Sequence, residues 1–250
     1  MNSYISWIGG KKLLRKVILE QFPKDYKRYV EVFGGAGWIL FAEERKGKEE
    51  IYNDANNELV NLHRCVKYHP EALQKELEFL SISREIFLDA KEQINVRGLT
   101  DIQRAACFFI LIKESFGSKL TTFGMRSRDV QKAVEYISEV SKRLNKVVIE
   151  NLDFERLIET YDKENTFFYL DPPYFGTEKY YTAEFKKEDH IRLRESLGKI
   201  KGRFLLSYND CEEIKELYKG YNIIEIERHS NLTTKTENSA RYKEVLIKNY

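Results

Sequence analysis

Residues 29–54 read YVEVFGGAGWILFAEERKGKEEIYND, and the fold turns on this stretch. YVEVF, residues 29–33, is short, apolar and rich in β-branched residues, which predicts a buried strand. Gly34 to Gly37 make a glycine-rich turn, WILFAEERK continues as a helix, and EEIYND, residues 49–54, is a second strand ending in an acid. Strand, glycine turn, helix and strand, in that order, open a doubly wound α/β sheet. Glycines at the handover from strand to helix let the backbone turn sharply and let a ligand approach the main chain. Asp54 stands about twenty residues beyond the turn, where an acid commonly accepts hydrogen bonds from ribose hydroxyls. The two features favour an adenosine-containing cofactor. The simpler alternatives are a tight turn without a ligand and a strand-end acid that caps the next helix, a role also open to Asn53, Asn56 and Asn57. The stretch lacks the full G-x-G-x-x-G spacing of dinucleotide binders and the Gly-Lys-Ser/Thr of a P-loop.

Upstream, SWIGGKKLL reads as a loop running into a helix that ends near Phe22-Pro23. Within it WIGGK, residues 7–11, is a glycine turn flanked by an indole and an ammonium, an aromatic wall and a charge suited to a carboxylate-bearing ligand. Downstream the pattern changes near Asn57. Leu59, Leu62 and Val66, then Leu73, Leu77 and Leu80, then Ile102, Ala105, Phe109 and Ile112 follow helical spacing. Thr100 or Asp101 is placed to cap the last of these helices. SFGSKLTTFGMRS, residues 115–127, predicts a hairpin or long loop, and a further helix follows over 129–144. Alternation then resumes: strands at KVVIE (146–150), TFFYL (166–170), RFLLS (203–207), NIIEIE (222–227) and EVLIKN (244–249), with helices at 188–200 and 211–219. A sheet domain, 1–56 and 146–250, is thus expected to be split by a mostly helical insertion, 57–145.

Composition narrows the classes. At 250 residues, 42% apolar and 33% charged, the chain reads as a soluble globular protein. No apolar run approaches the roughly 18 residues of a membrane span, and AACFFILI (105–112) reads as a buried helix segment. MNSYISW lacks the basic and apolar regions of a secretory signal. Cys65, Cys107 and Cys211 are few and far apart, which suggests a reducing compartment and gives no metal-ligand spacing. His63, His69, His190 and His229 are scattered and read as surface or capping residues, so no metal is expected. The net charge of +2 says little. Its local excesses, Lys11, Lys12, Arg15, Lys16, Lys24, Lys27 and Arg28 in one segment and Lys113, Lys119, Arg126, Arg128 and Lys132 in another, suit a phosphate backbone or a solvated face.

The chemistry lies in YLDPPYFG, residues 169–176. Two prolines lock successive φ angles and remove two backbone donors, so the segment holds carbonyl oxygens in place rather than continuing a strand. An exocyclic amine on an aromatic ring is a poor nucleophile, because its lone pair is delocalised. Two acceptors off the ring plane, one for each amine hydrogen, favour the tetrahedral nitrogen that attacks a methyl group. The Asp171 carboxylate is one candidate and the Pro172 carbonyl, fixed by Pro173, is the other. The carboxylate also stabilises positive charge developing on nitrogen, and Tyr174 offers a face on which a base stacks.

WIGGK, FGGAG, NDAN, the helical insertion, DPPY and a later LLSYND (205–210) occur in an order that covers nearly the whole chain. In this the chain resembles Dam-type DNA adenine-N6 methyltransferases of the D12 class, alpha group. The resemblance implies a Rossmann-like S-adenosylmethionine-dependent methyltransferase sheet of α/β class. It implies an inserted, mostly α-helical target-recognition domain carrying a β-hairpin. The expected activity is site-specific methyl transfer from S-adenosylmethionine to N6 of an adenine flipped out of double-stranded DNA, in restriction-modification or in a stand-alone or phage-borne role. By position Trp7 and Lys11 line the methionine end of the cofactor, Phe33, Gly35 and Gly37 form the cofactor turn, Asp54 holds the ribose, and Asp153 and Phe154 contact the adenine. Asp171, Pro172, Pro173 and Tyr174 are the catalytic turn, with Asp171 between cofactor and target base. Lys119, Arg126 and Arg128 are the candidate base or phosphate contacts of the insertion, and Arg241, Tyr242 and Lys243 are either further backbone contacts or a solvated face. The implied setting is the cytoplasm of a bacterial or phage-infected cell, at the nucleoid. The hairpin departs from the usual F-N-V-P-like segment by reading KLTTFG, so GATC is not the expected target. RNA adenine, cytosine N4 and a catalytically silent DNA-binding module are the competing readings, and assays on each nucleic acid with nucleoside analysis separate them.

Overall fold

The computed structural model of the chain describes residues 1–45, 47–78, 83–124, 130–177, 185–229 and 241–250, with backbone only at 227–229 and 241–242. In chain order the elements are α1 (Arg15–Glu20), β1 (Arg28–Glu31), α2 (Trp38–Ala42), β2 (Glu49–Asn53), α3 (Asn57–Tyr68), α4 (Pro70–Glu78), α5 (Arg84–Gln93), α6 (Asp101–Glu114), α7 (Val130–Glu135) and α8 (Ile137–Leu144). There follow β3 (Val147–Glu150), α9 (Phe154–Tyr161), β4 (Thr166–Leu170), α10 (Lys187–Leu197), β5 (Arg203–Asn209), α11 (Glu212–Leu217), β6 (Asn222–His229) and β7 (Arg241–Lys248). The fold is mixed α/β and Rossmann-like. Among the described residues no helix is long and apolar enough to cross a membrane.

The chain forms two compact units. One comprises Met1–Gly10, Gly35–Glu44 and Asp54–Asn151, and is mainly helical. Its centre is α6, begun by a capping box in which Thr100 and Gln103 satisfy each other's backbone N–H. From Ala105 to Ile112 every residue of α6 is buried, which explains the unbroken apolar run AACFFILI. Asn56 caps α3 by accepting from Leu59 N–H at 2.9 Å. The loop after α6 holds a short 3₁₀ turn, Phe116–Ser118, and is closed by a single antiparallel bridge from Ser115 to Phe123. Arg126 and Arg128, at its far end, lie outside the described residues.

The other unit comprises Lys11–Gly34, Arg45–Asn53 and Leu152–Tyr250. Its strands follow the order β2-β1-β4-β5-β7-β6. β1 pairs in parallel with β2 and β4, β4 in parallel with β5, and β7 returns antiparallel between β5 and β6. All five residues of TFFYL in β4 are buried, as expected of a central parallel strand covered on both faces. The strand order reverses between β1 and β4. Ligands of open α/β sheets bind outside the carboxyl ends of the strands at such a switch point, and here Phe33 follows the end of β1 and Asp171 the end of β4.

Four expectations need correction. The helix after the glycine turn ends at Ala42, with Glu43 already extended. The chain then carries Arg45 into a buried pair with Glu50 at 3.1 Å. The expected helix over 129–144 is two helices, because Gln74 Nε2 donates to the Val134 carbonyl at 2.8 Å, an acceptor that a continuous helix would offer to Ser138 N–H. A helix passed over in the sequence, α9, is capped by Asp153 and buries Phe154, Leu157 and Ile158. His63 and His190 are not surface residues: each is 1% exposed and hydrogen-bonded to a tyrosine hydroxyl, Tyr4 and Tyr208 respectively.

Candidate active site

In the sheet unit the DPPY turn leaves β4 and is tied down at its far end. Asn209, at the end of β5, clamps Phe175 in both directions, accepting from its N–H at 3.1 Å and donating to its carbonyl at 3.2 Å. Thr177 donates its N–H and its hydroxyl to the Tyr174 carbonyl, each at 2.9 Å. Pro172 and Pro173, just ahead of these ties, are buried.

Asp171 is held by side chains. Ser207 Oγ donates to its Oδ1 at 2.7 Å, and Lys11 Nζ stands 3.0 Å from the same oxygen. Lys11 Nζ also lies 3.3 Å from Glu244 Oε2 and donates to the Tyr174 hydroxyl, which in turn donates to Glu244 Oε2 at 2.6 Å. Lys11 and Glu244 are each 3% exposed. Burial raises the pKa of Asp171 above the usual carboxylate value, Lys11 and Ser207 pull it back, and Glu244 pushes it up again. Burial first, then the charges of Asp171 and Glu244, raise Tyr174 well above the ordinary phenol, so its hydroxyl keeps its proton. One ammonium between two carboxylates leaves a net negative site, suited to a group on which positive charge develops.

In the same unit Phe33, Phe154 and Phe185 form an aromatic triangle with centroids 5.8 to 5.9 Å apart. Asp153 caps α9 and pairs with Arg192 at 2.8 Å, and that guanidinium lies 4.2 Å over the Phe154 ring. Gly34 ends the first segment of this unit. A Cβ there would collide with the Tyr52 ring, which makes Gly34 the least replaceable glycine of the turn for space, although only Gly35 and Gly37 were singled out in the sequence.

In the helical unit Asp54 is held by the main chain. Its Oδ2 accepts from Gly35 N–H and its Oδ1 from Asn56 N–H, both at 2.8 Å. Burial raises its pKa, and the two backbone hydrogen bonds oppose the rise. Gly35 has φ +51°, and a Cβ on it would sit 3.0 Å from Trp7 Cδ1, so Trp7 packs on the bare glycine. Gly37, at φ +67°, starts α2. The Gly35 carbonyl accepts from His63 Nε2 at 3.2 Å. A carbonyl only accepts, so Nε2 carries the proton and Nδ1 accepts from the Tyr4 hydroxyl at 3.0 Å. Burial lowers the His63 pKa to about 4, which keeps this neutral tautomer at neutral pH. Lys119 is exposed on the loop after α6.

Glu244, Ser207 and His63 were not singled out in the sequence. Ser207 lies inside the LLSYND motif, whereas Glu244, at the head of the apolar run VLI, carries no such signal. A carboxylate such as Asp54 suits a ribose diol, since each oxygen takes one backbone donor and has capacity for another. Among the described residues no cluster of His, Cys, Asp or Glu is arranged to hold a metal.

Comparison with known proteins agrees with this chemistry. The D12 class N6 adenine-specific DNA methyltransferase family matches residues 7–232. The type II methyltransferase M1.LlaDCHI of Lactococcus lactis subsp. cremoris is 27% identical over 279 residues, covering 100% of this chain and 96% of that protein. The type II methyltransferase M.MjaIII of Methanocaldococcus jannaschii is 28% identical over 290 residues, covering 100% and 99%. The DNA adenine methylase of Haemophilus influenzae is 21% identical over 266 residues, covering 97% and 92%. The chain therefore belongs to the D12 class N6 adenine-specific DNA methyltransferases and is a site-specific DNA adenine methyltransferase.

Proposed function

We propose that the protein methylates N6 of an adenine flipped out of double-stranded DNA, with S-adenosylmethionine as donor. When bound, the cofactor supplies an electrophilic methyl group. Asp171 Oδ1 is occupied by Ser207 and Lys11, and in this reading Oδ2 accepts one amine hydrogen while the Pro172 carbonyl accepts the other. The nitrogen lone pair is thereby turned out of the ring plane. Tyr174 flanks the base, its hydroxyl tied to Glu244. The negative site offsets the positive charge on the attacking nitrogen, and its proton leaves after transfer, so no general base is assigned. Asp54 holds the ribose, Trp7 and the glycines Gly35 and Gly37 border the methionine end, and Phe33, Asp153 and Phe154 serve the cofactor's adenine. Lys11 acts by holding Asp171, because its ammonium already lies between two carboxylates.

The insertion 57–145 is assigned to target recognition, with Lys119, Arg126 and Arg128 on DNA. The type II names of two of the relatives favour a restriction-modification setting. The observation that carries the reading is the Asp171 carboxylate, held on one oxygen next to two buried prolines. Asp171→Ala is expected to abolish methyl transfer to duplex DNA while cofactor binding and circular dichroism stay near wild type. Full activity in that variant would overturn the mechanism. Nucleoside analysis of the product distinguishes N6-methyladenine from N4-methylcytosine.

A further inference from the structure

Glu244 sits where no motif of the sequence points, and its placement follows from topology. β7 runs antiparallel to β5, with Glu244 opposite Asn209 and Leu246 opposite Ser207. The start of β7 therefore lies at the carboxyl end of β5, on the edge from which DPPY leaves β4. The side chain is buried and meets two members of the site at once, Lys11 Nζ at 3.3 Å and the Tyr174 hydroxyl at 2.6 Å. A buried carboxylate carries a desolvation cost that only charged or hydrogen-bonding partners offset.

We infer that Glu244 is a positioning residue for methyl transfer, acting through Lys11: it draws the ammonium to one side of Asp171 so that Oδ2 stays open to the amine. The inference rests on Asp171 being the amine's acceptor. Lys11 has three donor hydrogens and no acceptor. With Glu244 in place they are divided among Asp171 Oδ1, Glu244 Oε2 and the Tyr174 hydroxyl. With its charge removed, Asp171 draws the ammonium more strongly, and it moves to straddle both oxygens of that carboxylate. The oxygen needed by the substrate is then occupied, and an amine that must first displace the ammonium from it reacts more slowly.

The groups facing Asp171 set the pH signature. They are Lys11 from the N-terminal segment, Tyr169 from β4, Ser207 from β5, Tyr174 from its own turn and Glu244 from β7, with Glu31 of β1 acting on Tyr169. Glu244 raises the Asp171 pKa. Loss of its charge lowers that pKa, so the acid limb of the kcat profile moves to lower pH even as the plateau falls.

The test is Glu244→Gln, which keeps an oxygen for the Tyr174 hydroxyl, assayed with saturating S-adenosylmethionine and duplex DNA. The expected result is a kcat about tenfold lower, the scale of one hydrogen bond to a charged group, with the cofactor KM within about twofold of wild type. The acid limb is expected to shift to lower pH. In a Lys11→Met background the same change is expected to alter kcat by less than about twofold, because residues acting through one another are not additive. Wild-type kcat and acid limb in Glu244→Gln, or a full additional loss in Lys11→Met, would overturn the inference. If instead Asp171→Ala remains active, the failure belongs to the acceptor assignment and not to Glu244. Melting curves of every variant separate a folding defect from a catalytic one.

Discussion

Asp54 and Asp171 each follow the last residue of a parallel strand, and both are pushed by burial toward the neutral acid. They are held by different means. Asp54 is fixed by two backbone N–H groups, from Gly35 and Asn56. Asp171 is fixed by a serine hydroxyl and a lysine ammonium, and that lysine is shared with a second carboxylate. A site built from backbone donors is set by the path of the chain, so the groups that matter are those that fix that path, the glycines that permit it and the side chains that tie its carbonyls. A site built from side chains is open to single substitutions and to pH. The first suits a group that must be bound the same way every turnover, and the second a group whose charge and free oxygen must be tuned to one reaction.

Substitution of Asp54 by Ala is the strongest way to break this contrast. Two hydrogen bonds from a diol to a carboxylate are worth about 3 kcal/mol together, so S-adenosylmethionine affinity is expected to fall about 100-fold. Asp171→Asn should leave that affinity nearly unchanged, since in this reading Asp171 serves the target base. Calorimetric titration of cofactor into both variants measures the two effects side by side. Equal losses would mean that the two carboxylates do not divide binding from chemistry.

His63 sharpens the backbone side. It carries no charge at neutral pH, yet it links the Tyr4 hydroxyl to the carbonyl of Gly35, whose N–H binds Asp54. His63→Ala is expected to raise the cofactor KM about tenfold, as for one lost buried hydrogen bond, with kcat at saturation kept. His63→Gln, which can still donate to the carbonyl, should recover most of the loss. The folded pKa is depressed from 6.5 to about 4. Stability contributed by the neutral ring is therefore complete above about 6.5 and is lost as pH falls toward about 4, a span worth roughly 3 kcal/mol. Urea unfolding across that range should show a decline in wild type that is absent in His63→Gln. An identical decline in both would place the acid sensitivity elsewhere.

The parts legible in the sequence are those whose signal is local. TFFYL reads as a central strand because each of its residues is buried. The start of α6 is narrowed to Thr100 or Asp101, and the cap is Thr100, with Gln103 as its partner. DPPY states its chemistry because prolines restrict their own backbone. What was not legible depends on a distant partner. The break between α7 and α8 is made by Gln74, far away in α4. Glu244 reaches Lys11 only because β7 turns back between β5 and β6. His63 looks like any histidine on a helix until Tyr4 and Gly35 are brought to its two nitrogens. The cap and core of α9 have a local signal, since Asp153 precedes the apolar positions Phe154, Leu157 and Ile158 at helical spacing, although by the resemblance Asp153 stands as a ligand contact.

Ser207 gives the smallest effect and the finest discrimination. Its hydroxyl donates to Asp171 Oδ1, the oxygen that also takes Lys11, and it lowers the Asp171 pKa against the rise caused by burial. Ser207→Ala removes a single hydroxyl from a packed strand without adding bulk, and kcat at neutral pH is expected to fall about fivefold, less than the full worth of a hydrogen bond to a charged group because Lys11 still holds the same oxygen. The carboxylate, now less well supported as an anion, should titrate at higher pH, so the acid limb moves up. Glu244→Gln is expected to lower kcat as well but to move the limb down, because it removes a neighbouring negative charge rather than a donor. Two substitutions with the same sign in rate and opposite signs in pH dependence are difficult to produce by a general loosening of the site, which would shift both profiles together. A shift of both limbs in one direction would show that Asp171 is not the titrating group, and the division between a backbone-held and a side-chain-held carboxylate would lose its chemical meaning.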